Sequence, residues 1–576
     1  MKPTPKSIYL VLSQFFVLLG AGCAWAATEA ASSGQLARLL AHAGEEPLAV
    51  VAFQDLRRAP RVLATSNLGQ IFNDPQYSDG RAAAWKLLQD EVGADLPALW
   101  EALMPQLGGP AALVVKAAAQ NDHTGTPKFV LLLAVADQEA GEFVRKMLPW
   151  LTPTQDQAPF VLQTIPLKDL ARGTAPEWAQ RLAAAPGFLR LFARPHALQA
   201  GWQKKNATWS DLATFERVEL TVTPEGQGFL DRLSLELHPE VKTSSALLWG
   251  ALRENPNAWK GLCAALPGGQ DVAVLVQANL PTLGMALPIG LHSLERELRG
   301  KKWTHLEGHT AEAQSLDRFK FFTDVLSGTV GVTGGASATG EARFVIAGAT
   351  MGQEVAPLRT LLLENFSMLG GEFQPKPNAV TIGKYAPLAA VFKGRSFLPA
   401  PVIGTSEGWL WLCSNTSAYG DLTGALSSGK VMSSDQEPAP LFPTPPVAEG
   451  EPASSPPTAA VRVRINLNAV APMLYASWLL DREGPHLGTW KVPDSLLPTG
   501  PGLFNRRLGT YWADLRREGL TLHVASCGPV PGGVLLPVAM MAHAARAIDD
   551  LRERRADTLR EKILLLEPVP VSEPKP

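Results

Sequence analysis

The sequence predicts an α+β protein: a duplicated domain with antiparallel sheets packed by helices, plus a truncated third unit. Short apolar runs meet as hairpins with helical segments between them, which is the order of an α+β fold rather than of a doubly wound one. A set of matches recurs at a spacing near 220 residues, which indicates duplication. The 576 residues, 46% of them hydrophobic, are enough for several cores.

The first unit, residues 27–260, opens with a strand and a capped helix. The apolar run 48–53 predicts the strand, and Asp55 is placed to cap the next helix by accepting a backbone N–H. A second helix is predicted over 96–107. It should end at Gly108-Gly109, because glycine adopts the left-handed C-cap conformation at low cost.

Two hairpins and their connecting segments complete the first unit. Alternating apolar residues bounded by polar or glycine-containing loops are typical of hairpin strands. The predicted elements are strands 111–117 and 129–135 around the polar loop 120–127, a helix from Asp137 to near Leu151, strand 188–193 with a helix after it, and strands 218–223 and 233–238.

The duplication rests on four matches that follow the same order. Phe129 matches Phe344 at an offset of 215, Leu96 and Gly108 match Leu316 and Gly328 at 220, Asp55-Leu56 matches Asn279-Leu280 at 224, and residues 207–211 match 431–435 at 224. The second unit is therefore placed at 261–436, with its first strand from Val272. A third, partial unit is placed at 459–530, with a strand at 461–465 and a hairpin of 510–515 with 520–525.

Composition marks the linker and the tail. Residues 438–457 contain eight prolines, so 437–458 is predicted to be an extended, solvated linker or long loop. Residues 531–566 are predicted as an amphipathic helix that packs on the last sheet or contacts a membrane surface or partner. Residues 567–576 are predicted to be disordered.

The N-terminus predicts export. Lys2 and Lys6 precede an apolar run, 8–19, and Ala24-Trp25-Ala26 fits the signal-peptidase pattern, so residues 1–26 are interpreted as a signal peptide. The run is shorter than the ~20 residues of a membrane-spanning helix, although an uncleaved anchor is an alternative. Cys23 lies in a permissive lipobox-like segment, which leaves periplasmic, extracellular and lipid-anchored locations open.

The three cysteines beyond the signal peptide give no metal or redox motif. Cys263, Cys413 and Cys527 lie in apolar contexts, which predicts small buried side chains. The absence of a CxxC pair excludes zinc ribbons and thioredoxin-like motifs. One disulfide among the three stays open in an oxidising compartment.

Charge narrows the choice of partner. The chain has 52 Lys+Arg against 54 Asp+Glu, a formal net charge of −2, so it lacks the basic field of a nucleic-acid binder. The expected partner is an unknown cell-envelope protein or ligand. Trp209 and Trp303 stand in polar contexts and are candidates for a binding surface. Core packing explains the tryptophans at helix or strand positions, which are Trp85, Trp100, Trp178, Trp249 and Trp411.

One catalytic pattern leaves an alternative function open. Gly404-Thr405-Ser406-Glu407-Gly408 fits G-x-S-x-G, whose serine must lie between a strand and a helix. The alternating residues after Gly408 predict a second strand instead, so a hairpin turn is the favoured interpretation. A serine hydrolase that uses Ser406 is the alternative.

Two other motifs lack residues that their chemistry requires. Residues 424–430 resemble a phosphate-binding loop, but Val431 replaces the Ser or Thr that binds magnesium. His305 and His309 have metal-pair spacing, yet Leu306 stands where metalloproteases have glutamate and no third ligand is near. No catalytic, cofactor-binding or metal-binding residue is assigned, and no cofactor is expected.

The element order resembles a large class of exported bacterial proteins built from repeated strand–helix–hairpin–helix units. The resemblance rests on the strand ending in Asp55-Leu56 or Asn279-Leu280, the helix ending at Gly108 or Gly328, and residues 228–232 opening a strand. Members of that class have no assigned function, so it implies architecture only. The sequence thus predicts an exported cell-envelope protein, more consistent with non-catalytic binding or scaffolding than with an enzyme.

Export predicts that the protein isolated from cells does not begin at Met1. N-terminal mass spectrometry should find Ala27 as the first residue, or a lipid-modified Cys23 if the lipobox is used. An intact Met1 in envelope material would contradict the signal peptide.

Overall fold

The structure is a computed structural model, and it confirms the α+β class. It describes residues 33–44, 47–92, 96–117, 127–148, 160–170, 174–201, 214–239, 249–253, 256–279, 326–336, 342–350, 373–376, 379–382, 402–406, 408–432, 441–442, 459–472, 486–487, 490–491 and 507–538. Two compact units divide the chain. Unit 1 draws on Met1–Val241, Pro438–Pro457 and Arg462–Leu535, and unit 2 on Lys242–Glu437, Thr458–Val461 and Leu536–Pro576.

Unit 1 alternates helices and strands. Its α-helices are α1 Ser33–Ala41, α2 Ala59–Thr65, α3 Asn67–Phe72, α4 Ser78–Val92, α5 Leu96–Leu103, α6 Gln138–Met147, α7 Leu167–Leu170, α8 Glu177–Ala184 and α9 Pro195–Gly201, with 3₁₀ turns at Leu56–Arg58, Pro75–Tyr77 and Met104–Gln106. Its first seven strands are β1 Ala49–Phe53, β2 Leu107–Lys116, β3 Lys128–Val135, β4 Phe160–Pro166, β5 Leu189–Ala193, β6 Phe215–Glu225 and β7 Gly228–Leu237.

The later strands fall into both units. They are β8 Val272–Gln277, β9 Leu326–Ala336, β10 Ala342–Thr350, β11 Phe373–Lys376, β12 Ala379–Ile382, β13 Val402–Ser406, β14 Trp409–Cys413, β15 Val461–Asn466, β16 His486–Leu487, β17 Trp490–Lys491, β18 Thr510–Glu518 and β19 Thr521–Gly528. The helices of unit 2 include α10 Pro256–Ala264 and α11 Thr416–Ser428.

A mixed sheet organises unit 1. Hydrogen-bonded pairs give the order β4-β3-β2-β1-β5-β6-β7-β19-β18. Every pair in it is antiparallel except β3 with β4, which is parallel. No sequence pattern predicted β4. The final hairpin, β18–β19, extends this sheet through β7.

Helices α1 and α8 cover one face of the β1–β3 half. Leu36, Leu39 and Leu40 of α1 are fully buried against a cluster that includes Val50 and Leu132 of the sheet. Burying one such side chain contributes about 1.5–3 kcal/mol. The cluster therefore fixes α1 on the sheet, since three leucines of one short helix point into it.

The strands of unit 2 pair with one another in the antiparallel sense. These pairs give the order β8-β9-β10-β14-β13-β12-β11. Helices α10 and α11 bury Leu262, Cys263 and Leu422 against Val345 and Trp411 of the strands. The Trp411 indole donates to the backbone oxygen of Ala265 at 3.0 Å, which satisfies its only polar atom.

The locally predicted strands and helices of residues 48–238, and the hairpin predicted at 510–525 for the third unit, are confirmed with adjusted ends. Asp55 accepts a hydrogen bond from the Arg57 N–H at 3.1 Å, although the segment that it caps is a 3₁₀ turn. Asp137 caps α6, which ends at Met147 rather than near Leu151. The predicted hairpins are β2–β3, β6–β7 and β18–β19.

The predicted helix end at Gly108-Gly109 is wrong. The α-helix ends at Leu103, and both glycines lie in β2, where the register with β3 shifts between Leu107 and Ala111. Gly109 has φ 114°, outside the left-handed cap region. Close packing explains Gly108, because a Cβ there would lie 2.9 Å from Leu167.

The duplication stays a prediction. In both units three successive strands pair antiparallel, β1-β2-β3 and β8-β9-β10. The neighbours then differ, since the strand of Phe129 pairs with the parallel β4 and the strand of Phe344 with the antiparallel β14. The matched segments 207–211 and 433–435 lie outside the described residues.

Several predicted segments also lie outside the described residues: 1–26, 120–126, 539–576 and most of 437–458. Phe442, in that proline-rich segment, is buried rather than solvated. Residues 535–538 are helical, as predicted for the start of the C-terminal helix. Among the described helices, none has the length and hydropathy needed to cross a bilayer.

Gly108→Ala should destabilise unit 1 by about 1–3 kcal/mol in urea unfolding, because the added methyl overpacks against Leu167. Gly420→Ala in α11 is the control, since nothing lies within 4 Å of a Cβ there and alanine favours a helix interior. Unchanged stability for Gly108→Ala would contradict the position of β2.

Candidate binding face

Strands β6, β7, β19 and β18 carry polar side chains on one face of the unit 1 sheet. Residues directly opposite in antiparallel strands point to the same side, so the register defines this face. The polar face consists of Arg217, Glu219, Thr221, Arg232, Ser234, Glu236, Trp512, Asp514, Arg516, Glu518, Thr521 and His523, together with Arg462 and Arg464 of β15 that contact it. Alternation produces this face most clearly in β7, where every residue between its members is buried on the opposite face.

Ion pairs use the acidic groups of the polar face. Arg462 forms a bidentate pair with Asp514, with Nε–Oδ1 2.8 Å and Nη2–Oδ2 3.1 Å. The side chains are 13% and 6% exposed, so solvent screens this pair little. Arg217–Glu236 at 3.9 Å is an exposed pair and contributes far less.

Three arginines of the polar face have donors without acceptors. The Nε atoms of Arg232, Arg464 and Arg516 are buried and have no hydrogen-bond partner among the described residues. An unsatisfied buried donor costs about 1–3 kcal/mol. The Nε atoms have almost no exposed surface, so an oxyanion on this face would reach these donors only if the guanidinium groups turned toward it.

Aromatic rings orient two of these guanidinium groups. Arg464 lies over the Trp512 ring, with 5.4 Å from Cζ to the centroid, and Arg516 over Phe442 at 4.7 Å. Such cation–π contacts contribute about 0.5–2 kcal/mol each. The rings thereby hold the arginines without using their N–H donors.

His523 is the imidazole of this face. Burial lowers its pKa, the neighbouring Arg516 lowers it further, and Glu518 at 3.6 Å opposes both. Because the net shift is downward, the neutral ring predominates at pH 7. The cationic character of the face therefore comes from arginine.

The opposite face of the same strands contains a closed polar cluster. Asp231 is 1% exposed, and Ser526 lies directly opposite it in the register. Tyr511 donates from its hydroxyl to the Gly533 backbone oxygen at 2.7 Å, and burial raises the pKa of Tyr511. This acid, serine and tyrosine have no exposed surface to offer a substrate.

Ser406 lies at the end of a strand in a hairpin. It pairs with Trp409 across a turn in which Gly408 has φ 77°, and β14 follows directly. This strand–turn–strand context was predicted, and it does not supply the helix that a nucleophile elbow needs. Among the described residues, the backbone around Ser406 therefore lacks the strand–turn–helix context of that motif.

The remaining sequence motifs do not form sites in the described chain. Residues 424–430 are the end of α11 and its C-cap rather than a phosphate loop. Cys263 and Cys413 are buried thiols, as predicted for small apolar residues, and Cys527 is a half-buried thiol. Cys23, Trp209, Trp303, His305 and His309 lie outside the described residues. Where the structure is described, no group of three His, Cys, Asp or Glu could hold a metal.

Comparisons with known proteins do not identify the class of protein. No family model and no curated protein matches the chain. Two crystal forms of TP0453 are similar to it at 14% and 11% identity, covering 47% and 46% of this chain and 83% and 94% of theirs, with TM-scores of 0.22 and 0.21. These values are too low to support an argument about fold or function.

Removing one member of the buried Arg462–Asp514 ion pair should strongly lower the free energy of unfolding. Asp514→Ala leaves Arg462 half-buried without its carboxylate and should lower the free energy of unfolding by about 3–5 kcal/mol. Glu236→Ala, which removes an exposed carboxylate from the same face, should change it by less than about 1 kcal/mol. Equal effects in urea titrations would contradict the difference in burial.

Proposed function

We propose that the chain is an exported, non-catalytic binding protein of the cell envelope and that the polar face of unit 1 is its contact surface. The signal-peptide pattern supports export, and the lack of an assembled catalytic site in the described chain supports binding. The main observation in favour of this contact surface is that Arg232, Arg464 and Arg516 each have an Nε donor with no partner among the described residues.

The chemistry of the polar face favours a protein partner that presents carboxylates. Planar guanidinium groups bind carboxylates with two parallel hydrogen bonds. The face also carries acids such as Glu219 and Glu518, which would repel a uniform polyphosphate chain. A protein surface with alternating charge and exposed Asp or Glu fits this mixed pattern better.

Binding to an acidic polypeptide tests this function. Fluorescence anisotropy with labelled poly-L-glutamate should show binding that weakens with salt and falls about tenfold in Arg232→Gln, because a lost charge-assisted bond is worth about 1.5–3 kcal/mol. Arg464→Gln should act in the same direction.

Arg58→Gln is the matched control, since Arg58 is exposed in a 3₁₀ turn away from the polar face. An equal loss in this variant, or tighter binding to polyphosphate than to polyglutamate, would overturn the proposed partner chemistry. In intact cells, a photo-crosslinker at Ser234 should give a discrete product that one at the exposed Glu139 does not.

A serine hydrolase using Ser406 is the second candidate, and a fluorophosphonate probe separates it from a binding protein. The hairpin context predicts no specific labelling of the native chain. Labelling that disappears in Ser406→Ala would replace the binding proposal with the hydrolase.

A further inference from the structure

A short turn covers the buried acid of unit 1. Residues 529–534 follow β19 and return over the sheet, where Tyr511 holds the Gly533 backbone oxygen. A Cβ on Gly533 would lie 3.1 Å from the Ser526 Oγ and 3.5 Å from Asp231 Oδ2. The backbone of this turn therefore rests directly on the carboxyl group.

The hydrogen bonding of the buried cluster is incomplete. Neither carboxylate oxygen of Asp231, nor the Oγ of Ser526, has a well-formed hydrogen bond among the described residues. The N–H groups of Gly532, Gly533 and Val534 and the Ser526 hydroxyl are nonetheless near enough to favour the charged carboxylate. Consecutive N–H groups of this kind form an anion-binding concavity.

Burial outweighs these donors. It raises the pKa of Asp231 to about 7, and no lysine or arginine is among the groups that shift it. The other titratable groups beside it are Tyr511 on β18 and Cys527 on β19. Burial raises the pKa of both, and the charge of Asp231 raises each further. Neither Tyr511 nor Cys527 can carry a positive charge. Val222 of β6, which lies directly opposite Asp231 in the register, is apolar. No neighbouring charge among these groups compensates an ionised Asp231.

We propose that residues 529–534 act as a proton-operated latch, which stays closed over neutral Asp231 and opens when that carboxyl loses its proton. Opening admits water to the carboxylate, so the open state ionises near the ordinary pH of an aspartate while the closed state resists ionisation. Opening therefore releases a proton. The latch does not depend on the proposed binding function.

The sign of the pH dependence follows from this linkage. The closed state binds the proton more tightly, so it is favoured at acidic pH and is lost as pH rises through the pKa of about 7. Between roughly pH 4 and 7 the opening constant should rise up to tenfold per pH unit, and it should level off above that range.

Hydrogen exchange of the turn amides tests the latch. Exchange rates of Gly532, Gly533 and Val534, corrected for intrinsic chemistry, should rise between pH 5 and 7 in the full-length protein. They should also exceed those of Leu233 and Leu235 in β7, because a local opening needs less free energy than unfolding.

Two variants distinguish the effect of protonating Asp231 from the effect of side-chain packing in the buried cluster. Asp231→Asn keeps the shape of the side chain and should make the corrected turn rates independent of pH, while Ser526→Ala should keep the pH dependence. In the wild-type protein alone, turn amides that exchange no faster than those of β7, or corrected rates that do not change with pH, would overturn the latch.

Discussion

The pairing of β7 with β19 is the constraint on which the described surfaces of unit 1 depend. Eight residue pairs, from Glu236 opposite Thr521 to Phe229 opposite Gly528, join strands that are far apart in the sequence. The register sets which side chains share a face. A slip of one residue would exchange the two faces along the strand, turning Arg232 inward and Asp231 outward.

Asp231 and Arg232 are adjacent in β7 and therefore lie on opposite faces of the sheet. Arg232 lies on the polar face with an unmet donor, and Asp231 lies beneath the turn of residues 529–534 with an unmet acceptor. Each carries a polar atom that the described chain does not fully satisfy. The unmet donor of Arg232 is the reason for proposing an external oxyanion partner. The unmet acceptor of Asp231 is the reason for proposing that a bound proton keeps the turn closed.

Local sequence patterns predicted most strands of unit 1 and their hairpin partners, but not the partners that are distant in the sequence. Apolar runs separated by a short polar loop located the hairpins, because both strands and their turn lie in one short segment. The pairing of β19 with β7 and the parallel β4 depend on distant contacts, which periodicity does not encode. Gly108-Gly109 was misassigned because a close-packed strand glycine and a helix-ending glycine look alike in sequence. The alternation of polar and apolar residues around Arg232, Asp514 and Arg516 is visible in the sequence. The unmet donors are not, because they depend on contacts between distant segments.

The β7–β19 register is tested most directly by disulfide trapping. In a Cys527→Ser background, Ser234→Cys with His523→Cys places two thiols directly opposite each other, at a spacing that suits a disulfide. Rapid oxidative crosslinking of this pair, and slow crosslinking of the diagonal pair Ser234→Cys with Ala525→Cys, is the expected result. Faster crosslinking of the diagonal pair, or none of either, would contradict the shared sheet and both surfaces derived from it.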